Sequence, residues 1–348
     1  MIRSPFWTLA LASFPALSSC VPHRCPSPAG NLSVSAFQLY PENADFDPKR
    51  CVAYFSVLYN SSVAVYDPSQ NAVVDVIEFP GLSGNPLLHA SGVQLDPLDR
   101  LSIVVNAGSS FDTGGRDISG TNWLVKYSLQ EDRVLWQYNL TTVTAGAYSG
   151  FQDIEHDRHG NTFVLGTFPT SLIRVTTDGK KATPWYLGPR SDPIAAGFTG
   201  LANIGDALVV SNVTDGQLYR FDITSAQGTP VRIPLTTGQG RIGGPIDGVY
   251  LPPRYAGKVI LVSDNVNGTI VLRSSDAKWK TAERLGVIPN DLLAQGGSTV
   301  ASIQIGDRIY AVTEFFGDSQ QIVPGTLAGN RSAFPLIDIS TQVEQLLC

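Results

Sequence analysis

The segment "ENADFDPKRCVAYFSVLYNSSVAVYDP", residues 42–68, constrains the fold more than any other feature, because its plan recurs. It reads as an approach segment, an Asp-Pro turn, an apolar strand, a polar turn and a second strand. Apolar runs with polar endings return as "VAYFS", "LSIVVN", "TFVLGT", "ALVVSN", "KVILVSD" and "RIYAVTE". A turn precedes each one: Asp47-Pro48, Asp96-Pro97, His159-Gly160, Gly205-Asp206, Ala256-Gly257 and Gly306-Asp307. Most are followed by another strand: "VAVYD", "WLVKYS", "LIRVTT", "QLYRFD" and "TIVLRS". The units are spaced by roughly 45 to 60 residues, which accommodates four short strands plus loops and is the period of propeller blades.

Six such units fit the 348 residues. The expected fold is therefore an all-β, six-bladed propeller with the apolar runs as its inner strands. The segment "NLSVSAFQLY", residues 31–40, precedes the first unit and has strand character. It is expected to complete the last blade, which closes the ring and removes exposed sheet edges. The 33 glycines, 23 prolines and single methionine suit short strands and tight turns rather than long helices. A pair of β-sandwiches would need a linker near the middle, and the sequence shows none there.

Charge narrows the function. Charged residues make up 16% of the chain, the formal net charge is −6 and no basic block is present. This excludes a nucleic-acid surface. Beyond the N-terminus no run reaches about 18 apolar residues, so no membrane span is expected. The N-terminus itself reads as a signal peptide. Arg3 supplies a positive start, residues 6–17 an apolar stretch, and Ala16, Ser18 and Ser19 the small residues of a cleavage site. The expected organisation is a signal peptide over 1–20 and one propeller domain over 21–348. Six N-x-[ST] sequons, at Asn31, Asn60, Asn139, Asn212, Asn267 and Asn330, agree with the secretory route, secreted or lumenal. Asn60 and Asn267 are expected at turn tips. The cysteines are Cys20, Cys25, Cys51 and Cys348; none forms a CxxC pair, so a zinc site is not indicated. Their connectivity is left open by the spacing.

The phrases "ENADFDP…CVAYFSVLYNSSVAVYDP", "GFQDIEHDRHGNTFVLGT" and "GFTGLANIGDALVVSNVTDGQLYRFD" carry a resemblance. The chain resembles six-bladed propellers of the senescence-marker-protein/gluconolactonase/strictosidine-synthase superfamily. Within it, the chain is similar to the fungal secondary-metabolism branch, which includes the trichothecene-cluster propeller and the hetero-Diels–Alderases of tropolone–sesquiterpenoid pathways. The lactonase side of that resemblance implies Ca²⁺ or Zn²⁺ at the propeller mouth, held by Glu, Asn and Asp at the starts of innermost strands. Glu42 matches the first acidic position and Asp247, in "PIDGVYL", the Asp-Gly position. Elsewhere the pattern departs: Phe198-Thr199-Gly200 stands where Ser-Asn-Gly is usual, and Ser91-Gly92 replaces an Asn-bearing motif. A hard cation wants six or more oxygen ligands, so these losses favour no cofactor, with Ca²⁺ as the alternative. The closing strand brings the ends of a propeller together, so a Cys25–Cys348 disulfide is expected.

Candidate chemistry gathers on loops expected around one mouth. The loop over residues 106–123 is unusually long and holds Phe111, Arg116, Asp117 and Trp123 among glycines. Segments leading into innermost strands supply Glu42, His89, Gln152, Asp153, Thr199 and Asp247. His89 is the histidine expected to face the mouth, whereas His156 and His159 are expected to be exposed in a turn. No G-x-S-x-G, HExxH, P-loop or Rossmann glycine motif is present, and "TTGQGRIGG" lacks a Lys-[ST] pair. The resemblance then implies a cofactor-free hetero-Diels–Alderase of fungal meroterpenoid assembly. It would join a tropolone-type quinone methide or enone to a humulene-type sesquiterpene, its polyketide and terpene partners. Such a step needs proximity and a donor on the heterodiene oxygen. Arg116, His89 and Thr199 are the expected donors, and Phe111, Trp123, Phe151, Gln152, Phe168, Phe315 and Phe316 the expected walls. Glu42 or Asp153 would help expel water from a precursor alcohol. A metal-dependent lactonase and a non-catalytic secreted binding propeller are the rival readings. Oligomeric state is not legible.

Overall fold

A computed structural model describes residues 25–237 and 240–348. The expected signal peptide lies outside the described residues. Six four-stranded antiparallel sheets form a ring of blades. Their innermost strands are Pro41–Asp47, Leu88–Leu95, Ser149–His156, Phe198–Ile204, Ile246–Tyr250 and Ser298–Ile305. These six strands contact one another around the axis and wall a central channel. The face where they begin is called upper here, and the face where they end lower.

The six apolar runs aligned in the sequence are the second strands, not the innermost ones. Val52–Val57, for example, pairs with Pro41–Asp47 on one side and Ser62–Asp67 on the other. The reason is burial. A second strand is covered on both faces by neighbouring blades and reads as a continuous apolar run. An innermost strand turns one edge to a polar channel, so it mixes apolar and acidic residues.

The hydrophobic core is divided into six clusters, one in each seam between blades. Phe163, Leu165 and Trp185 of blade three meet Phe198, Leu208 and Phe221 of blade four, for instance. Closure follows expectation: Leu32–Ser35 pairs with Ala333–Asp338, so the first strand is the outer strand of blade six. No helix among the described residues is long and apolar enough to cross a membrane.

The disulfide expectation is corrected. Cys25 pairs with Cys51, and Cys348 is free and exposed. After the last strand the chain forms the helix Ser340–Leu347, whose Val343 packs into the seam of blades five and six. Tyr255 Oη donates to Glu344 at 2.9 Å and Arg254 pairs with the same carboxylate. This helix carries Cys348 outward to the outer strand of blade five, where Arg273 donates to the Leu347 carbonyl at 3.3 Å, away from the axial opening of the lower face. There Cys25 and the turn after Asp47 lie together.

Among the sequons, Asn267 is an exposed turn residue as expected. Asn60 is half-buried at the end of the 3-10 turn Leu58–Asn60, and its amide donates to Ser62. Asn31 and Asn330 are exposed, and Asn139 and Asn212 are half-buried at strand ends.

Candidate functional site: the axial channel

Every innermost strand breaks register with its second strand near its third residue. The shifts fall between Pro41 and Ala44, Ala90 and Val93, Phe151 and Asp153, Phe198 and Leu201, Ile246 and Val249, and Thr299 and Ala301. A bulge re-aims the side chains it contains. The bulged positions include Glu42, Ser91, Gln152, Thr199 and Asp247, so one device repeated around the ring gathers most of the expected mouth residues. Three bulges end in glycine for a steric reason. A Cβ on Gly92 would stand 2.9 Å from Asp153 Cα, on Gly200 2.5 Å from Val249 N, and on Gly248 2.6 Å from Val300 O. Only glycine lets adjacent inner strands approach this closely.

The upper ring is hydrogen-bonded to itself. The Gln152 amide donates to the Thr199 carbonyl at 2.7 Å and to Asp247 Oδ1 at 3.1 Å, and accepts from Thr167 Oγ1. Thr199 Oγ1 lies 3.0 Å from Ser211 Oγ, and Asn265 donates to Asp247 Oδ2 at 2.9 Å. Burial pushes the Asp247 carboxyl up to about 6. Glu42 and Glu314 are driven well above the usual carboxylate range, chiefly by burial, with Asp247, Glu314 and Asp153 adding repulsion at Glu42. Glu42 Oε2 and both Glu314 oxygens have no partner among the described residues.

This donor set does not fit the cation that the superfamily resemblance implies. Gln152 turns its NH₂ toward Asp247 while its oxygen is engaged by Thr167, and the Thr199 hydroxyl is engaged by Ser211. Among the described residues no three His, Cys, Asp or Glu side chains converge to hold a metal ion. The unpartnered oxygens of Glu42 and Glu314 come from two side chains and fall short of the six or more oxygens a Ca²⁺ site needs.

The remaining predicted residues scatter. Arg116 is exposed on the long loop of blade two and pairs with no carboxylate among the described residues. Phe111 and Phe168 meet edge to face at 5.4 Å beneath that loop. His89 is buried against Tyr59, rings 5.3 Å apart, and burial lowers its pKa, so it is neutral. Trp123, Phe151 and Phe315 fill seams between blades rather than line the channel. Arg331 also stacks on Phe315, 3.5 Å from the ring centre. Phe316 is exposed. Of the turn histidines, His159 is exposed as expected, but His156 is buried, with Nε2 2.8 Å from Ser102 Oγ.

The cavity lies at the other end. About 470 Å³ opens along the axis toward the lower face, and all six innermost strands contribute to it. Its polar walls are Asp45, Gln94, Asp153, Glu155, Asn203 and Ser302, and its rim includes exposed Pro48, Pro253 and Asp307. Asp153 is the one expected catalytic residue that reaches it. Its Oδ1 accepts from Asn43 at 3.0 Å, and its Oδ2 accepts from the Leu201 NH of the next blade at 3.0 Å. Asp45 likewise accepts from the Leu95 NH of blade two at 2.7 Å. Burial raises all three acids: Asp153 well above the carboxylate range, Asp45 and Glu155 to about 7. Hydrogen bonds from backbone NH groups oppose the shift without cancelling it. The Glu155 charge adds to the rise at Asp45. At neutral pH the cavity therefore presents carboxyl groups that both give and take protons.

The sequence profile of the Mal s 1 allergenic protein-like family matches residues 22–284. Trichothecene biosynthesis protein 14 of Trichoderma arundinaceum is 38% identical, over 92% of this chain and 91% of that protein. Core trichothecene cluster protein 14 of Fusarium sporotrichioides is 35% identical, over 93% and 88%. Among solved structures, the Malassezia sympodialis allergen Mala s 1 superposes with a TM-score of 0.77 at 22% identity, covering 90% of this chain and 96% of that one. A gluconolactonase from Xanthomonas campestris gives 0.54 at 15% identity, covering 88% and 89%. At these identities the two structures show a shared fold.

Proposed function

This chain belongs to the Mal s 1-like family, and we propose that it is a cofactor-free enzyme of fungal secondary metabolism that catalyses a hetero-Diels–Alder cyclisation in the lower axial cavity. Relatives named for a trichothecene cluster support a role in natural-product assembly. The observation that carries the reaction type is the cavity itself. Apolar surfaces of Phe46, Tyr250, Leu251 and Pro253 surround carboxyl groups held near neutral pKa. A space of this size suits a drug-sized, mostly apolar molecule.

The chemistry assigned to these groups is proton traffic. A protonated Asp45 or Glu155 gives its proton to a precursor hydroxyl, whose C–O bond breaks as water leaves. The enol or tropolone O–H of the same substrate returns a proton to the carboxylate, and a quinone methide results. The net loss is one water. Cycloaddition then forms one C–C and one C–O bond without loss of atoms. In that step the re-protonated carboxyl donates a hydrogen bond to the heterodiene oxygen as negative charge develops there. Confinement of the two partners supplies the proximity term. The upper groups Glu42, His89, Thr199 and Arg116 are left outside this scheme. Production through the secretory route is part of the same proposal, and the Cys25–Cys51 disulfide is compatible with it.

The test is turnover of an ortho-hydroxybenzyl-alcohol-type precursor with humulene, corrected for the spontaneous reaction. Asp45→Asn and Glu155→Gln are each expected to lower the rate by about 10²-fold or more, the scale of lost general acid catalysis. Wild-type rates in both variants would sink the reading, as would activity that EDTA abolishes and Ca²⁺ restores.

A further inference from the structure

We infer that the upper face is covered by the protein's own N-linked glycans, with sugars on Asn60, Asn267 and Asn330 lying over exposed apolar side chains while the lower opening stays bare; this rests on the secretory route proposed above. The sequence supplies the sequons, and the fold supplies their placement. Asn60, Asn139, Asn212, Asn267 and Asn330 all lie at upper ends of strands or on upper loops. Asn31 is on the lower side, at the periphery. Its Oδ1 accepts from the Asp338 NH at 2.9 Å, beside the outer strands of blade six. The axial cavity opens on the face away from the other five.

The large apolar side chains left in water favour the same upper face. Phe37, Leu87, Val266, Leu293, Phe316 and Ile322 are exposed there, against Leu98 on a lower turn. Three sequons sit within this set. Asn267 follows Val266 in one turn, and the Asn290 NH donates to the Asn267 carbonyl at 3.1 Å, which brings in the turn that holds Leu293. Asn330 ends the loop that exposes Phe316 and Ile322, folded back by the Val323 NH on the Ala328 carbonyl. Asn60 borders a groove of about 360 Å³ between blades six and one. The groove walls include Phe37, Tyr59, Val73, Val76 and Leu327, and Phe37 is 58% and Val76 47% exposed.

Clustered apolar surface invites association. A bulky, polar sugar chain attached at its edge opposes that tendency. Pyranose rings present a C–H face to aromatic and aliphatic side chains and keep their hydroxyls in water, so one chain meets both needs. The amides are compatible with the bond. In the transfer, the anomeric C1–O bond to a lipid diphosphate donor breaks, a C1–Nδ2 bond forms and one amide proton leaves. Each amide nitrogen keeps its second hydrogen. One hydrogen is thus still present for the bond from Asn60 to Ser62 Oγ, at 3.0 Å, and for that from Asn267 to Asp264 Oδ2, also at 3.0 Å.

The experiment uses the full chain secreted from a fungal host. Peptide mapping after glycosidase release in heavy-oxygen water is expected to mark Asn60, Asn267 and Asn330 as occupied. Trimming the folded protein to the first sugar with an endoglycosidase is expected to raise the fluorescence of anilinonaphthalene sulfonate, a dye for exposed apolar surface, by about twofold or more. Asn60→Gln alone should give part of that rise, and adding Phe37→Ser should remove it. Phe37→Ser in the fully glycosylated protein should change nothing. No glycan at the three sites, equal dye binding before and after trimming, or a fully glycosylated protein that dimerises through its upper face would each overturn the inference. The secretory reading is scored separately. Glycan at Asn31, Asn139 or Asn212 with none at the other three would keep the route and overturn the cover, whereas no glycan at any sequon would overturn both.

Discussion

At the scale of single residues, the carboxyls of the channel are the informative groups, and their titration has a definite sign. Asp45 is raised to about 7 by burial, whereas an exposed Asp ionises near 3.9. The folded state therefore holds its proton more tightly than the unfolded chain does. Any stability from this preference is complete below about pH 4 and is lost as pH rises through about 7. Asp45→Asn should stabilise the protein by about 1 kcal/mol or more at pH 8, with the gain shrinking toward pH 4. Urea unfolding at both pH values checks this, and a gain that grows on acidification would contradict the assignment. Catalysis should follow the same protonation, with kcat falling above about pH 7 and holding below it. The lower-channel acids carry a signal in the sequence, though a quiet one. Asp45 and Asn43 alternate along one strand, as do Asp153 and Glu155. Polar residues at i and i+2 before a turn mark a strand face that looks into a polar channel. Loop length is the louder signal, and it points to Arg116, which is exposed. Aromatic residues that resemble pocket walls in the sequence, Trp123, Phe151 and Phe315, fill the seams because a seam has room for large side chains on both sheets.

At the scale of elements, the repeated bulge explains both what the sequence showed and what it concealed. The dipeptides Ser91-Gly92, Thr199-Gly200 and Asp247-Gly248 look like worn metal motifs. Their glycines answer to packing, since a Cβ on each would push into the backbone of the next inner strand. Gly200→Ala should cost about 1–3 kcal/mol, the range for forcing extra volume into a packed core. A Cβ added at Gly317 would meet nothing within 4 Å, and its φ is not positive. Gly317→Ala is the matched control and should leave stability within about 0.5 kcal/mol. Thermal unfolding of the pair decides the matter, and equal losses would remove the close-packing argument. The period of the blades was readable because second strands are continuous apolar runs. The identity of the innermost strands was not, because facing a polar channel breaks the apolar pattern that marks a strand.

At the scale of the whole molecule, closure and the disulfide set the ends of the chain. The N-terminal closing strand was readable from its own strand pattern. The pairing of Cys25 with Cys51 was not, because the short helix Ser340–Leu347 that leads Cys348 away has no strong sequence signature among so many strands. A loop of 26 residues closed in this way is worth about 3–4 kcal/mol in the chain-entropy account. Cys51→Ser should lower stability on that scale, while Cys348→Ser should change it little. Peptide mapping without reductant should recover Cys25 joined to Cys51, and a Cys25–Cys348 peptide would refute the pairing. The central claim concerns which end of the channel does chemistry, and one comparison addresses it. Rate and enantiomeric excess of the cycloadduct are measured for Asp45→Asn, at the lower end, and Arg116→Ala, on the upper loop. The account predicts that Asp45→Asn loses about 10²-fold in rate and erodes the enantiomeric excess, while Arg116→Ala keeps both. The reverse pattern, an inert Asp45 and an essential Arg116, would contradict it.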